Sequence, residues 1–287
     1  MPSEDAHRVA IVGGGTMGIG MVYVFAAAGF HVTLVEPSDA QRDTAAARLT
    51  KAAADGVARG KLDAAQQAAV TTGYSTVADA EALPEGLDLV IETVPERLSV
   101  KEDVLRRIAA RAPALIATNT SALSVDQLAA FVTDTSSFLG MHFFNPVWSL
   151  PLVEIIRGKA TSADAVARAE HFATAIGKTS ITVSDTPGFA TSRLDLIAAM
   201  EAIRMVEDGV ASPEDIDRAM TVAYRHPIGP LRLSDIVGLD VRLDIARGLS
   251  KALGPRYAPP RILEDMVARG DLGQKTGRGF YDWTETA

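Results

Sequence analysis

No cysteine occurs among the 287 residues, so disulfides, thiolate metal sites and a cysteine nucleophile are all excluded. No apolar run approaches a membrane span: the longest near the start, Met21 to Phe30, falls well short of the roughly 20 residues that a bilayer requires. Excess positive charge is missing too. With 28 basic against 36 acidic side chains and a net charge of −8, neither a nucleic acid nor an anionic membrane is an expected partner. Internal repeats and low-complexity tracts are absent, although alanine is frequent in the helical stretches. The opening residues, MPSEDAHR, are polar and acidic, which makes the cytoplasm the expected location. What is present is globular. A content of 47% hydrophobic and 22% charged residues, in a chain longer than the roughly 100–200 residues of one domain, predicts two domains with ample core.

The most informative stretch runs from Val9 to Gly29: a strand, a glycine turn and a helix, followed by a second strand, His31 to Val35, that ends in the acid Glu36. Gly13 permits the tight turn, Gly15 lets backbone approach a pyrophosphate, and Gly18 lets the helix pack close to the strand. The helix start then offers unpaired N–H groups and a favourable dipole to an anion. Glu36 follows the last glycine by 18 residues, near the roughly 20-residue offset of a carboxylate that accepts from adenosine ribose hydroxyls. An acid there repels a 2′-phosphate, so the pattern predicts NAD rather than NADP.

Through the first two thirds, β-branched runs alternate with helical stretches. Strands are predicted at Arg8 to Val12, Val32 to Val35, Leu87 to Ile91, Ala114 to Ala117, Phe138 to Phe143, Val153 to Ile156 and Ser180 to Val183. The helices between them include Gly18 to Ala28, Ala40 to Arg59, Val100 to Ala110 and Ala163 to Ile176. This is the pattern of an α/β, Rossmann-type, mostly parallel sheet with helices on both faces. Beyond Asp185-Thr186-Pro187-Gly188 only helical periodicity continues, with Leu196, Met200, Ile203 and Val206 apolar before Gly209. Ser212-Pro213-Glu214-Asp215 reads as a capped helix start. The expected division is therefore 1–186, a dinucleotide-binding domain, and 187–287, a smaller all-α domain.

Chemistry is expected at the strand ends that face the cofactor. His142 ends an apolar strand, and Glu154 lies 12 residues on, inside the apolar run Leu152 to Ile156. Burying an acid there is costly without a partner, and a histidine is a natural one. If the two meet, the carboxylate fixes the imidazole tautomer and raises its basicity, so that the ring can take a proton from a substrate alcohol. A structural histidine, with the acid paired to an arginine, is the alternative. The remaining histidines have no spacing that points to a metal site, and none is expected.

These motifs resemble the L-3-hydroxyacyl-CoA dehydrogenase family, and 3-hydroxybutyryl-CoA dehydrogenase-like members in particular. GGGTMGIG resembles the family's cofactor loop, with Thr16 and Met17 inside it. GMHFFNPV with LVEII resembles its catalytic segment, and Asn119-Thr120-Ser121 the turn before it. DTPGF, HPIGPLRLSDIVGLD and KTGRGFYDW resemble its helical domain. The resemblance implies NAD as cofactor and reversible oxidation of an (S)-3-hydroxyacyl thioester, carried by CoA or a carrier protein, to its 3-oxo form. It implies His142 as acid/base, Glu154 as its orienting partner, and Ser121 and Asn145 as hydrogen-bonding groups at the reacting end. It further implies Asn119 at the cofactor, Glu96 and Lys101 beside the nicotinamide ribose, and a homodimer formed through the helical domain.

One departure stands out. Where the family usually carries asparagine before the Arg-Leu pair, this chain has Ser192, a shorter donor at a substrate position. That change, and the Val147-Trp148-Ser149-Leu150-Pro151 stretch, leave open a CoA-free hydroxy compound of the L-gulonate or carnitine type. Trp148 can equally be a packing residue. Lys51, Arg59 and Lys61 can meet the phosphates of a CoA arm or form a solvated helix face. A third reading, a dinucleotide-binding protein without turnover, has no use for the pair of His142 and Glu154.

Overall fold

Strands that are apolar on both faces must be covered on both faces, and this chain is rich in them. The computed structural model describes residues 7–284. Eight strands form one sheet: β1 (Arg8–Val12), β2 (His31–Val35), β3 (Tyr74–Val77), β4 (Leu89–Glu92), β5 (Ile116–Thr118), β6 (Phe138–Phe143), β7 (Leu152–Arg157) and β8 (Thr179–Ser184). Every residue of β4, β5 and β6 is buried, the burial expected of parallel strands between helical layers. The order is β3-β2-β1-β4-β5-β6-β7-β8. All neighbours are parallel except β6 and β7, which run antiparallel. The mostly parallel sheet is thus borne out.

Six helices accompany the sheet: α1 (Thr16–Ala27), α2 (Asp39–Ala58), α3 (Ala64–Thr72), α4 (Leu98–Ala110), α5 (Val125–Ala129) and α6 (Ala163–Ala175). From β1 the chain builds outward to β3 and then returns to place β4 on the other side of β1. Right-handed connections on either side of that reversal put helices on opposite faces, and the reversal opens a crevice at the carboxyl ends of β1 and β4. Val9 and Ile11 of β1, Met21 and Phe25 of α1, Leu34 of β2 and Ile91 of β4 share the core beneath it.

The sequence reading missed β3, α3 and α5. β3 is an edge strand with no fully buried residue, and α3 buries only Val70, so neither displays an apolar stripe. The start of α3 did carry a local signal, the capping box of Asp63 and Gln66.

The chain divides into two compact units, residues 1–186 and 187–287. The second contains α7 (Thr191–Glu207), α8 (Pro213–Arg218), α9 (Pro230–Val237), α10 (Leu239–Leu253) and α11 (Arg261–Arg269), with no strand of its own among the described residues. Its core is built from Leu196, Met200, Ile203, Leu231, Leu243 and Leu263. Ser212 caps α8, with Pro213 in the first turn. No helix among the described residues is long and apolar enough to cross a membrane.

Candidate active site

The glycine loop is shaped by close contacts. Gly13 adopts φ +113°, and a Cβ there would meet the Thr93 carbonyl oxygen at 2.9 Å. A Cβ on Gly18 would lie 1.8 Å from the Gly13 oxygen, so α1 seats against the turn only without a side chain. Gly15 differs. A Cβ there would meet nothing within 4 Å. Gly15 is also the N-cap of α1, which has neither a side-chain cap nor an acid in its first turn. The first N–H groups of α1 therefore face open space beside a residue with no side chain, a site that fits a pyrophosphate.

Glu36 follows β2 directly. Its Oε2 accepts from Gly14 N at 2.9 Å and its Oε1 from Ser38 N at 3.0 Å, which fixes the carboxylate at the loop. A cavity of about 920 Å³ runs from there along the sheet edge. Gly13, Gly15, Thr16, Met17 and Glu36 line one part of it; Glu96, Asn119, Ser121, His142 and Asn145 line another. Gly18 packs behind the loop.

His142 and Glu154 meet. The antiparallel register of β6 and β7 pairs the two residues directly, so both side chains leave the same face of the ladder. His142 Nδ1 lies 2.8 Å from Glu154 Oε2. Glu154 is 0% exposed and His142 8%, so their interaction is largely shielded from water. Phe144 packs on the imidazole with ring centroids 4.5 Å apart. The segment after His142, which carries Asn145, is fastened at several points. Val147 sits over Gly20 of α1, where a Cβ would come within 2.7 Å of it. Lys178 Nζ donates to the carbonyl oxygens of Val147 and Leu150 at 2.6 and 2.7 Å, and burial pushes its pKa down.

Two residues from the resemblance occupy unexpected surroundings. Asn119 lines the cavity, but its Oδ1 accepts from Phe143 N at 2.9 Å and so braces the end of β6 beside His142. Lys101 is 0% exposed and does not line the cavity. Its ammonium donates to both oxygens of Glu92, at 2.8 and 2.9 Å, and lies 3.3 Å from Glu96 Oε2. Glu96 Oε1 accepts from Thr120 Oγ1 and from the amides of Ser121 and Ala122 at 2.9 and 3.0 Å. Burial opposes ionisation of Glu96, but the Thr120 hydroxyl, the Lys101 ammonium and these amides outweigh it and hold the pKa below the usual carboxylate range.

Sequence reasoning missed Glu92, Thr118 and Thr120. The signal for Glu92 was available, since an acid closing the apolar run Leu89–Glu92 poses the burial problem that singled out Glu154. Ser192 lies in the second unit, half-buried in the first turn of α7. Lys51, Arg59 and Lys61 line a second cavity of about 590 Å³ with Tyr23 and Trp148. Trp148 is 39% exposed and rests on Tyr23, with ring centroids 5.6 Å apart.

Residues 8–186 match the family model for the NAD binding domain of 3-hydroxyacyl-CoA dehydrogenase, and residues 188–283 match that for its C-terminal domain. The 3-hydroxybutyryl-CoA dehydrogenase of Mycobacterium tuberculosis is 40% identical over 286 residues, covering 98% of this chain and 100% of that protein. The human mitochondrial hydroxyacyl-coenzyme A dehydrogenase is 38% identical over 289 residues, covering 96% and 91%. The crystal structure of the (S)-3-hydroxybutyryl-CoA dehydrogenase of Ralstonia eutropha superposes with a TM-score of 0.92 at 37% identity, over 98% of this chain and 100% of that one. Both family domains follow one another in order along almost the entire chain: the chain belongs to the 3-hydroxyacyl-CoA dehydrogenase family and is an NAD-dependent oxidoreductase.

Proposed function

We propose that this chain oxidises an (S)-3-hydroxyacyl thioester reversibly to the 3-oxoacyl thioester, with His142 and Glu154 as its acid/base pair. The observation that carries the reading is the buried contact of 2.8 Å between Nδ1 and Oε2 at the edge of the cavity that the glycine loop also lines. Bound NAD supplies the hydride acceptor. His142, held by Glu154 through Nδ1, takes the hydroxyl proton at its other ring nitrogen, and the positive charge that develops on the imidazole is stabilised by the carboxylate. Ser121 and Asn145 hydrogen-bond the reacting end of the substrate. Gly13, Gly15, Thr16, Met17, Gly18, Glu36, Glu96 and Asn119 form the cofactor side, with Lys101 acting from beneath. Residues 1–186 are then the cofactor domain.

Residues 187–287 serve substrate binding, with Ser192, and homodimer formation. Leu194, Val222 and Tyr224, all more than two-thirds exposed, support a self-association surface in that unit. The cytoplasm is the proposed location.

The test is NADH formation from (S)-3-hydroxybutyryl-CoA, run beside free hydroxy acids and the same acyl group on a carrier protein. Turnover of the CoA thioester, lost in His142→Gln, is the expected result. A higher kcat/KM for a free hydroxy acid, or full activity in the variant, overturns the reading.

A further inference from the structure

Glu92 takes no part in the proposed reaction and does not line the cavity, yet it anchors a chain of contacts that ends at Ser121. Four segments meet there. β4 brings Glu92, the connection to α4 brings Glu96, α4 brings Lys101, and β5 brings Thr118. Both Glu92 oxygens receive the Lys101 ammonium; Oε2 also accepts from Thr118 Oγ1 at 2.6 Å and Oε1 from Val94 N at 2.7 Å. Both residues are 0% exposed. Such a pair seldom stabilises more than apolar side chains of equal volume would, so stability alone does not account for it.

We propose that Lys101 and Glu92 form a buried positioning pair: they hold Glu96 as a fixed anion, and Glu96 clamps the turn from Thr120 to Leu123 that presents Ser121. The inference rests on the assignment of Ser121 to the reacting end. Glu96 spans the two halves of the device, with Oε2 on Lys101 and Oε1 on the turn. Its charge matters because one oxygen serves the Thr120 hydroxyl and successive amides together, a load suited to a carboxylate. Without Lys101 the Glu96 anion faces the buried Glu92 carboxylate with no cation between them, and the turn loses its anchor. Burial pushes the Glu92 pKa up, and the Lys101 ammonium, the Thr118 hydroxyl and the Val94 amide oppose that rise.

Lys101→Met alone strands a buried carboxylate and risks the fold, so the informative variant is Glu92→Gln/Lys101→Met. It removes both charges; the amide oxygen can still accept from Val94 N, and the amide nitrogen can donate to the Thr118 hydroxyl, which accepts as well as donates. In the NAD-bound enzyme, amide exchange at Ser121, Ala122 and Leu123 should accelerate about ten-fold or more, while the amides of β6 and β7 keep their protection. The kcat should fall about ten-fold, with KM for the thioester changed by less than about three-fold, as expected for misplacement of a group near the reacting atoms. In a Ser121→Ala background the same pair of substitutions should add little further loss. Exchange and kcat at wild-type levels, or losses that multiply fully with Ser121→Ala, overturn the clamp. Full kcat in Ser121→Ala by itself removes Ser121 from the reaction instead, and exchange at the turn still judges the clamp separately.

Discussion

Glu154→Gln isolates the charge behind His142. Glutamine preserves the size of the side chain and an acceptor atom within reach of Nδ1, so the change removes the carboxylate's charge and little else. Unit charges about 4 Å apart interact by roughly 4 kcal/mol at an effective dielectric of about 20. Little is subtracted for solvent here, because Glu154 is 0% exposed and the contact measures 2.8 Å. The energy is felt mainly when the imidazole becomes positive, after it has taken the proton, so it weighs on the transition state more than on substrate binding. At 1.36 kcal/mol per decade the expected loss in kcat is about 10³-fold, with KM nearly unchanged. The assay is steady-state NADH formation with the thioester substrate, accompanied by a thermal melt to show that β6 and β7 still pair. A folded variant with kcat within about ten-fold of wild type would refute the reasoning, since a charge that close and that dry cannot be worth so little to a forming imidazolium.

Two glycines of the loop should respond in opposite ways to alanine. Gly18→Ala forces a Cβ to 1.8 Å from the Gly13 oxygen and should destabilise the fold by about 3 kcal/mol, whereas Gly15→Ala meets no atom within 4 Å and should leave Tm intact while weakening NAD binding; equal melting curves for the two would contradict this. Glu36→Ala strips the acceptor from Gly14 N and Ser38 N and should weaken NAD by about ten-fold in calorimetric titration while narrowing the preference over NADP, so an unchanged Kd would count against its role. Glu96 has a folded pKa held below its ordinary 4.5, so its contribution to stability is present above that pH and is lost as the pH falls through the folded value. Urea midpoints measured against pH should therefore fall less steeply on the acid side in Glu96→Gln, and parallel profiles would show that Glu96 is not responsible.

Much of this site is local in sequence. The turn at Gly13, the open approach at Gly15 and the acid at Glu36 belong to one strand, turn, helix and strand, so backbone sterics and hydrophobic patterning reveal them without knowledge of the rest of the fold. The pair of His142 and Glu154 was legible for a different reason: an acid inside an apolar run needs a partner, and a histidine on the preceding strand lies within reach. The role of Asn119 was hidden. Its oxygen accepts from the backbone of Phe143, 24 residues away, on a neighbouring strand. Lys101 was placed beside the nicotinamide ribose by resemblance alone; its contact with Glu92 was hidden, because nothing local marks which lysine of an amphipathic helix points inward.

The sequence by itself determined the glycine turn, the acid that closes β2, most strands and helices, and the pairing of the histidine with its carboxylate, because each depends on neighbours along the chain or on the cost of burying a charge. Only the tertiary structure decided that β6 and β7 run antiparallel, in the register that sets His142 opposite Glu154. It alone joined Glu92, Lys101, Glu96, Thr118 and Thr120, whose strands and helix converge at one end of the sheet. Register and convergence are set by how the sheet is stacked and covered, and a linear pattern of apolar and polar residues does not encode which distant neighbours a buried ion will meet.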